Sequence, residues 1–154
     1  MATRIYDPIE IARQFRYVRE LPGNKGQRVE AIQHWCGGKP GDSWCAYFAT
    51  LVLDICYQGL SPLKRTGSCD EIFEIAREAN WLYESPLPND LYLRVRPGTE
   101  DAHHVGFVVA TNPQTGRIIQ ISGNTSADGL SSNGDGVYER DIPHSDDLVF
   151  VRVV

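Results

Sequence analysis

A chain of 154 residues, 42% hydrophobic and 23% charged, has the size and make-up of one globular domain and can bury about 70% of its unfolded surface without disulfides. The net charge of -5 argues against nucleic acid as the main partner, because phosphate binding needs a basic face. There is no run of 18 apolar residues to cross a membrane, and MATRIYDPIE lacks the apolar stretch of a signal peptide. The expectation is a protein made in the cytoplasm, with no membrane partner, that acts outside only after release or delivery.

Asp7-Pro8-Ile9-Glu10 starts the first predicted helix: Asp7 as N-cap, Pro8 at the first helical position, Glu10 completing a capping box. Ile11, Phe15, Val18 and Leu21 recur at helical spacing until Pro22-Gly23 ends the pattern. Arg13, Arg16 and Arg19 read as its solvated face. A second helix is predicted over Gln27 to Trp35, broken by Gly37-Gly38-Lys39-Pro40-Gly41. The third begins with Asp42 or Ser43 as cap and ends at Gly59 as the C′ residue. Its polar residues Thr50, Asp54 and Gln58 fall on one narrow solvated stripe, which places this helix at the centre of the domain. A fourth helix starts at the capping box Ser68-Cys69-Asp70-Glu71 and buries Ile72, Phe73, Ala76 and Ala79.

Short strand-like runs follow: Leu91 to Arg96, Val105 to Thr111, Arg117 to Ser122, Val137 to Arg140 and Val149 to Val154. Asn112-Pro113-Gln114-Thr115-Gly116 reads as a hairpin turn. Helices first and strands after predict an α+β fold with helices packed on an antiparallel sheet. Residues 122–136, rich in Ser, Asn, Gly and Asp, read as a long polar loop.

The four cysteines, Cys36, Cys45, Cys56 and Cys69, contain no C-x-x-C pair and read as free thiols. Cys36, Cys56 and Cys69 are expected as small buried hydrophobes. Cys45 differs, because it falls in the first turn of the central helix. Amides there have no intrahelical acceptor, and the macrodipole places about half a positive charge at that end. A thiolate is stabilised by that field, and the same amides can face an oxyanion. Cys56, in the last turn, meets the opposite field.

A thiolate nucleophile needs a base. His34 and His144 fall outside the strands, whereas His103 and His104 open one, so only one of them can face the helices. Small Gly106 and Ala110 on the His104 face leave room for a helix, which favours His104. Ser122 and Asn124 share a face if their strand continues that far, and the Asn124 side-chain oxygen can orient the imidazole.

These residues carry a resemblance. SWCAYFATLVLDICYQG looks like the segment around the catalytic cysteine of CHAP-type peptidoglycan hydrolases, cousins of the NlpC/P60 group. The stretch from Gly23-Asn24 through Ile32 resembles the lead-in of phage and bacterial relatives. Pro88-Asn89-Asp90-Leu91-Tyr92 resembles the family's Pro-Gly-Asp motif, with asparagine for glycine. His104-Val105-Gly106-Phe107-Val108-Val109 matches its His-Val-Gly strand, and Ser122-Gly123-Asn124-Thr125 its Glu-x-Asn ending, with Ser122 where many relatives have glutamate.

The resemblance runs from about Asn24 to the C-terminus and implies a papain-like fold, with residues 1–154 expected to form a single hydrolase domain. It implies a cysteine hydrolase cutting amide bonds of cell-wall peptide, as an amidase or endopeptidase, with Cys45 as nucleophile, His104 as base and then acid, and Asn124 orienting the imidazole. Trp44 and Ser122 are expected to line the substrate site, and the loop after Ser126 to close over the stem peptide. No cofactor is implied. Asp128, Asn133 and Asp135 invite calcium, but no glutamate stands where an EF-hand loop needs one, so no metal is expected. The implied partner is the peptidoglycan stem peptide, with a monomer expected. A phage lysin or tail component fits, as does an injected effector, for which an immunity or delivery protein would be a further partner. The alternatives are a catalytically weak wall-binding module and an acyltransferase or deamidase using the same dyad.

Overall fold

The computed structural model describes residues 2–153. Its helices are α1 (Pro8–Arg13), α2 (Gln27–Trp35), α3 (Cys45–Cys56) and α4 (Cys69–Glu78). Its strands are β1 (Leu82–Tyr83), β2 (Leu91–Val95), β3 (Ala102–Thr111), β4 (Ile118–Thr125), β5 (Gly136–Ile142) and β6 (Leu148–Val151). The strands form one antiparallel sheet in the order β1-β6-β2-β3-β4-β5. The fold is therefore α+β. No helix among the described residues is long and apolar enough to cross a membrane.

The main core lies between the helices and one face of the sheet, where Phe48, Val52 and Ile72 meet Leu93, Val105 and Phe107. The other face buries a smaller cluster around Tyr92, Val108, Ile142 and Phe150. Alternation along β3 thus sends Val105 and Phe107 toward the helices and His104 and Gly106 the other way.

Helix α3 buries most of its circumference, including Ala46, Phe48, Ala49, Val52, Leu53 and Cys56. Of its expected solvated stripe, Thr50 is buried. Its hydroxyl donates to Ala46 O at 2.9 Å and lies 3.3 Å from Thr66 O, tying α3 to the loop before α4. Neither Asp42 nor Ser43 caps the helix. Trp44 is the N-cap residue, with no side-chain cap, and Cys45 is the first helical residue. Both expected caps have other partners: Asp42 accepts from Lys39 N and the Tyr47 hydroxyl at 2.9 Å each, and Ser43 Oγ accepts from Asn124. At the far end Gln58, at φ 51°, takes the C′ position, followed by Gly59, also left-handed at φ 86°, whose N–H donates to Asp54 O at 2.8 Å. This is a Schellman closure one residue earlier than expected.

Helix α1 stops at Arg13 because the chain is drawn toward the sheet. Arg19 bridges Gly136, and Glu20 N donates to Asp135 O at 2.7 Å. Val18 stays buried while Leu21 is exposed. The arginines are not a common solvated face. Arg13 clamps Glu139 of β5 through two hydrogen bonds of 2.8 and 3.0 Å, and Arg19 lies 4.0 Å from the Tyr138 ring centroid. Strand β1 was not expected. The expected strand to Val154 is β6, with Val154 itself outside the described residues.

Candidate catalytic site

The β3–β4 ladder runs from Thr111↔Ile118 to Phe107↔Ile121 and ends there. Beyond it β3 continues with β2 alone, and β4 with β5 alone. The amino end of α3 packs into this opening: a side chain on Gly123 would lie 2.8 Å from the Trp44 ring and 3.0 Å from Phe48. The Cys45 thiol therefore stands at the unzipped end of the ladder. There the His104 imidazole and the Val105 backbone N–H, which has no strand partner on that side, are near enough to favour its anion.

His104 is 1% exposed and its Nε2 lies 3.2 Å from Ser122 Oγ. Its Nδ1 is buried with no hydrogen-bond partner, which leaves that atom free to take a proton. Ser122 is in turn 3.5 Å from the Tyr92 hydroxyl, which donates to Gln120 Oε1 at 2.7 Å. Burial pushes the Tyr92 phenol up, so it remains a neutral donor. The imidazole is thus backed by a buried chain of neutral groups.

Gly106 explains the spacing. A Cβ there would meet the Tyr92 ring at 2.6 Å and Ser122 Cβ at 2.7 Å. The room expected for an approaching helix is instead filled by Tyr92 and Ser122. Spacing predicts that His104 faces the helices; its side chain lies on the other face, at the end of the β3–β4 ladder, and comes near Cys45 there. His103 is half-buried and lies off the site, its pKa lowered by burial and then by Arg96 and His104.

Asn124 makes no hydrogen bond to the imidazole, and its Oδ1 is buried without a partner. Its backbone sits at φ 55° beside a register shift between Ser122 and Thr125, so the alternation that would place both residues on one face is broken. Its Nδ2 donates to Ser43 Oγ at 2.9 Å, tying the end of β4 to the start of α3. Ser122 takes the orienting position instead. Trp44 is fully buried and belongs to the core rather than to a groove wall.

Sequence reasoning missed Cys69. It is the first residue of α4, capped by Ser68, whose Oγ accepts from Glu71 N at 3.1 Å. Its Sγ lies 3.7 Å from Cys45 Sγ, and both cysteines are reduced and buried. Two ties fix the pair: the Thr50–Thr66 contacts and the Asp70 carboxylate, which accepts from Ala102 N at 2.7 Å at the start of β3. No local pattern announces this contact, because it joins two helix starts 24 residues apart.

The Cys45 thiol is held well below the ordinary thiol range. The neighbouring Cys69 thiol is the largest cause; burial opposes it, and His104 and the Val105 N–H add to it. Cys69 is pushed up by the same contact, by burial and by nearby Asp70. Burial also raises Cys56, to about 11, and Cys36. Cys45 is therefore the thiol set to ionise.

An open groove of about 600 Å³ runs between Glu20, Asn24, Ser126, Asn133 and Asp135, with neither Cys45 nor His104 in its lining. Gly134 N donates to Asn124 O at 2.9 Å, so one wall of the groove hangs from the end of β4. Burial raises the Glu20 carboxyl, opposed by the Asn24 N–H and the Trp44 indole. Comparison with known protein families, curated proteins and solved structures gives no match.

Proposed function

We propose that the protein is a cysteine hydrolase of papain-like arrangement that cuts amide bonds in bacterial cell-wall peptide. The observation that carries the reading is the grouping at one helix start: the Cys45 thiol, the His104 imidazole near it with Nδ1 unpartnered, and Ser122 behind the imidazole. The wall as substrate rests on the resemblance of the Cys45, His104 and Ser122-Gly123-Asn124 segments to CHAP-type hydrolases. The polar groove beside Asn124 offers a stem peptide both hydrogen-bonding groups and room.

The chemistry follows from the contacts. Cys45 passes its proton to His104 Nδ1, and the thiolate attacks the amide carbon. The oxyanion faces the free first-turn N–H groups of α3, that of Cys45 among them. His104 returns the proton to the leaving amine nitrogen, giving a thioester and a free amine. Water then attacks the thioester while His104 takes its proton, and acid and thiol separate. Cys45 is 3% exposed, so the rim must open locally for substrate to reach the sulfur.

The test is digestion of purified peptidoglycan, followed by release of new amines and by mass spectrometry of the fragments. Wild-type protein should release amine groups, and Cys45→Ala none. Equal release by both proteins would exclude the reading. Binding of wall fragments without any release would support the wall-binding module. Products joined to an added amine acceptor would instead mark an acyltransferase.

A further inference from the structure

We propose that Cys69 is a positioning residue for the nucleophile: its S–H donates to the Cys45 sulfur and holds it as an anion. This rests on the reading of Cys45 as nucleophile, and it explains how the site works without a carboxylate behind His104.

In a thiolate–imidazolium pair the charge separation can be supported from either end. A carboxylate behind the ring supports the cation. Here the atom behind the ring is a serine oxygen at 3.2 Å, in a buried chain of Ser122, Tyr92 and Gln120 with no charge. The cation end is therefore weakly held, and the anion end carries the compensation. Cys69 Sγ is 3.7 Å from Cys45 Sγ, within the range of a thiol donating to sulfur, and Cys69 is 8% exposed, so little water competes. Each sulfur sits on the first residue of its helix, so two helix starts converge on one negative charge.

Which sulfur keeps its proton follows from the neighbours. Cys45 faces an imidazole and a backbone N–H, both favouring its anion. Cys69 has the Asp70 carboxylate beside it, which disfavours a second anion. The proton that leaves Cys45 goes to His104; Cys69 gives up none and forms no covalent bond.

The experiment is a pH titration of absorbance at 240 nm, where thiolates absorb, each protein read against its own Cys45→Ala counterpart; in the Cys69 variants the difference is the Cys45 thiolate alone, and in wild type the lower transition is read. Hydroxyl and thiol both donate, whereas alanine and valine do not. Wild-type and Cys69→Ser proteins should show a Cys45 midpoint below the free-thiol value of about 8.5. Cys69→Ala should raise it by at least one pH unit, a loss of about tenfold in thiolate on the acid side, as expected for a charge-assisted hydrogen bond. Cys69→Val repeats the comparison without leaving a void, should the alanine protein fail to fold. A low midpoint unchanged in the alanine or valine protein overturns the proposal and leaves the hydrolase reading standing. A Cys69→Ser midpoint as high as that of alanine also overturns it, since sulfur packing rather than donation would then be responsible. An ordinary midpoint in the wild type overturns both.

Discussion

Ser122 Oγ stands 3.2 Å behind His104 Nε2, a neutral oxygen in the place where a carboxylate would hold an imidazolium. This contact orients the ring without charging its surroundings. It leaves Nδ1 unpartnered and connects the ring to Tyr92 and Gln120.

Removing that oxygen should therefore have a modest cost. Ser122→Ala loses a neutral hydrogen bond of about 1 kcal/mol, which corresponds to a kcat loss of about fivefold, with KM little changed. Steady-state kinetics on a soluble muropeptide checks this. A loss of several thousandfold would mean that Ser122 does far more than orient the ring.

Asn124 should behave as a structural tether. Asn124→Ala loses the bond to Ser43 and places an alanine at φ 55°, together about 2 kcal/mol, or a fall in Tm of about 4–8 °C. Asn124→Gly removes the strain but not the lost bond, and should fall about half as far. Both proteins should keep kcat within a few-fold. A collapse of kcat with Tm intact would put Asn124 back on the imidazole.

Gly106→Ala probes the packing behind the ring. Its Cβ would press on Tyr92 at 2.6 Å and on Ser122 at 2.7 Å, both fully buried with no room to yield. Overpacking of this kind costs about 1–3 kcal/mol, and here it also displaces the residue that orients His104. Thermal melting and kcat should fall together. Gly37→Ala, at φ 81° with nothing within 4 Å, should lose stability through backbone strain and leave kcat unchanged.

Much of this fold is legible in the residues themselves. The bounds of α2 follow from its apolar spacing and the glycines after it, and the Ser68 cap of α4 from its capping box. The start of α3 was misplaced because Asp42 and Ser43 have the right chemistry for a cap but are held by Lys39, Tyr47 and Asn124. Cys45 and His104 were legible because their positions on a helix start and a strand start are local properties. That Ser122 rather than Asn124 backs the ring is not legible, because a left-handed backbone at Asn124 breaks the alternation that a strand pattern assumes. Cys69 was read as packing for a related reason: only the tertiary ties through Thr66 and Ala102 bring its sulfur to the site.

Acid should loosen the clamp between α1 and β5. Arg13, hydrogen-bonded to Glu139, holds that carboxyl below its usual range against the opposing effect of burial. A depressed carboxylate contributes stability above its unfolded value of about 4.3 and loses it as pH falls through the folded value. Glu139→Gln should thus lower Tm by about 2–4 °C at pH 7, for a partly exposed pair of about 1 kcal/mol, and the gap should close near pH 3. A gap that persists at pH 3 would trace the loss to packing rather than charge.

The most direct test of a thiol activated by its neighbouring imidazole is the pH dependence of Cys45 alkylation by iodoacetamide, resolved by peptide mass spectrometry. Burial slows the reaction alike at every pH, so the midpoint reports ionisation. The wild-type midpoint should lie below the ordinary thiol value of about 8.5, and His104→Ala should move it upward. Identical profiles for the two proteins, or a wild-type midpoint at the ordinary value, would contradict the account.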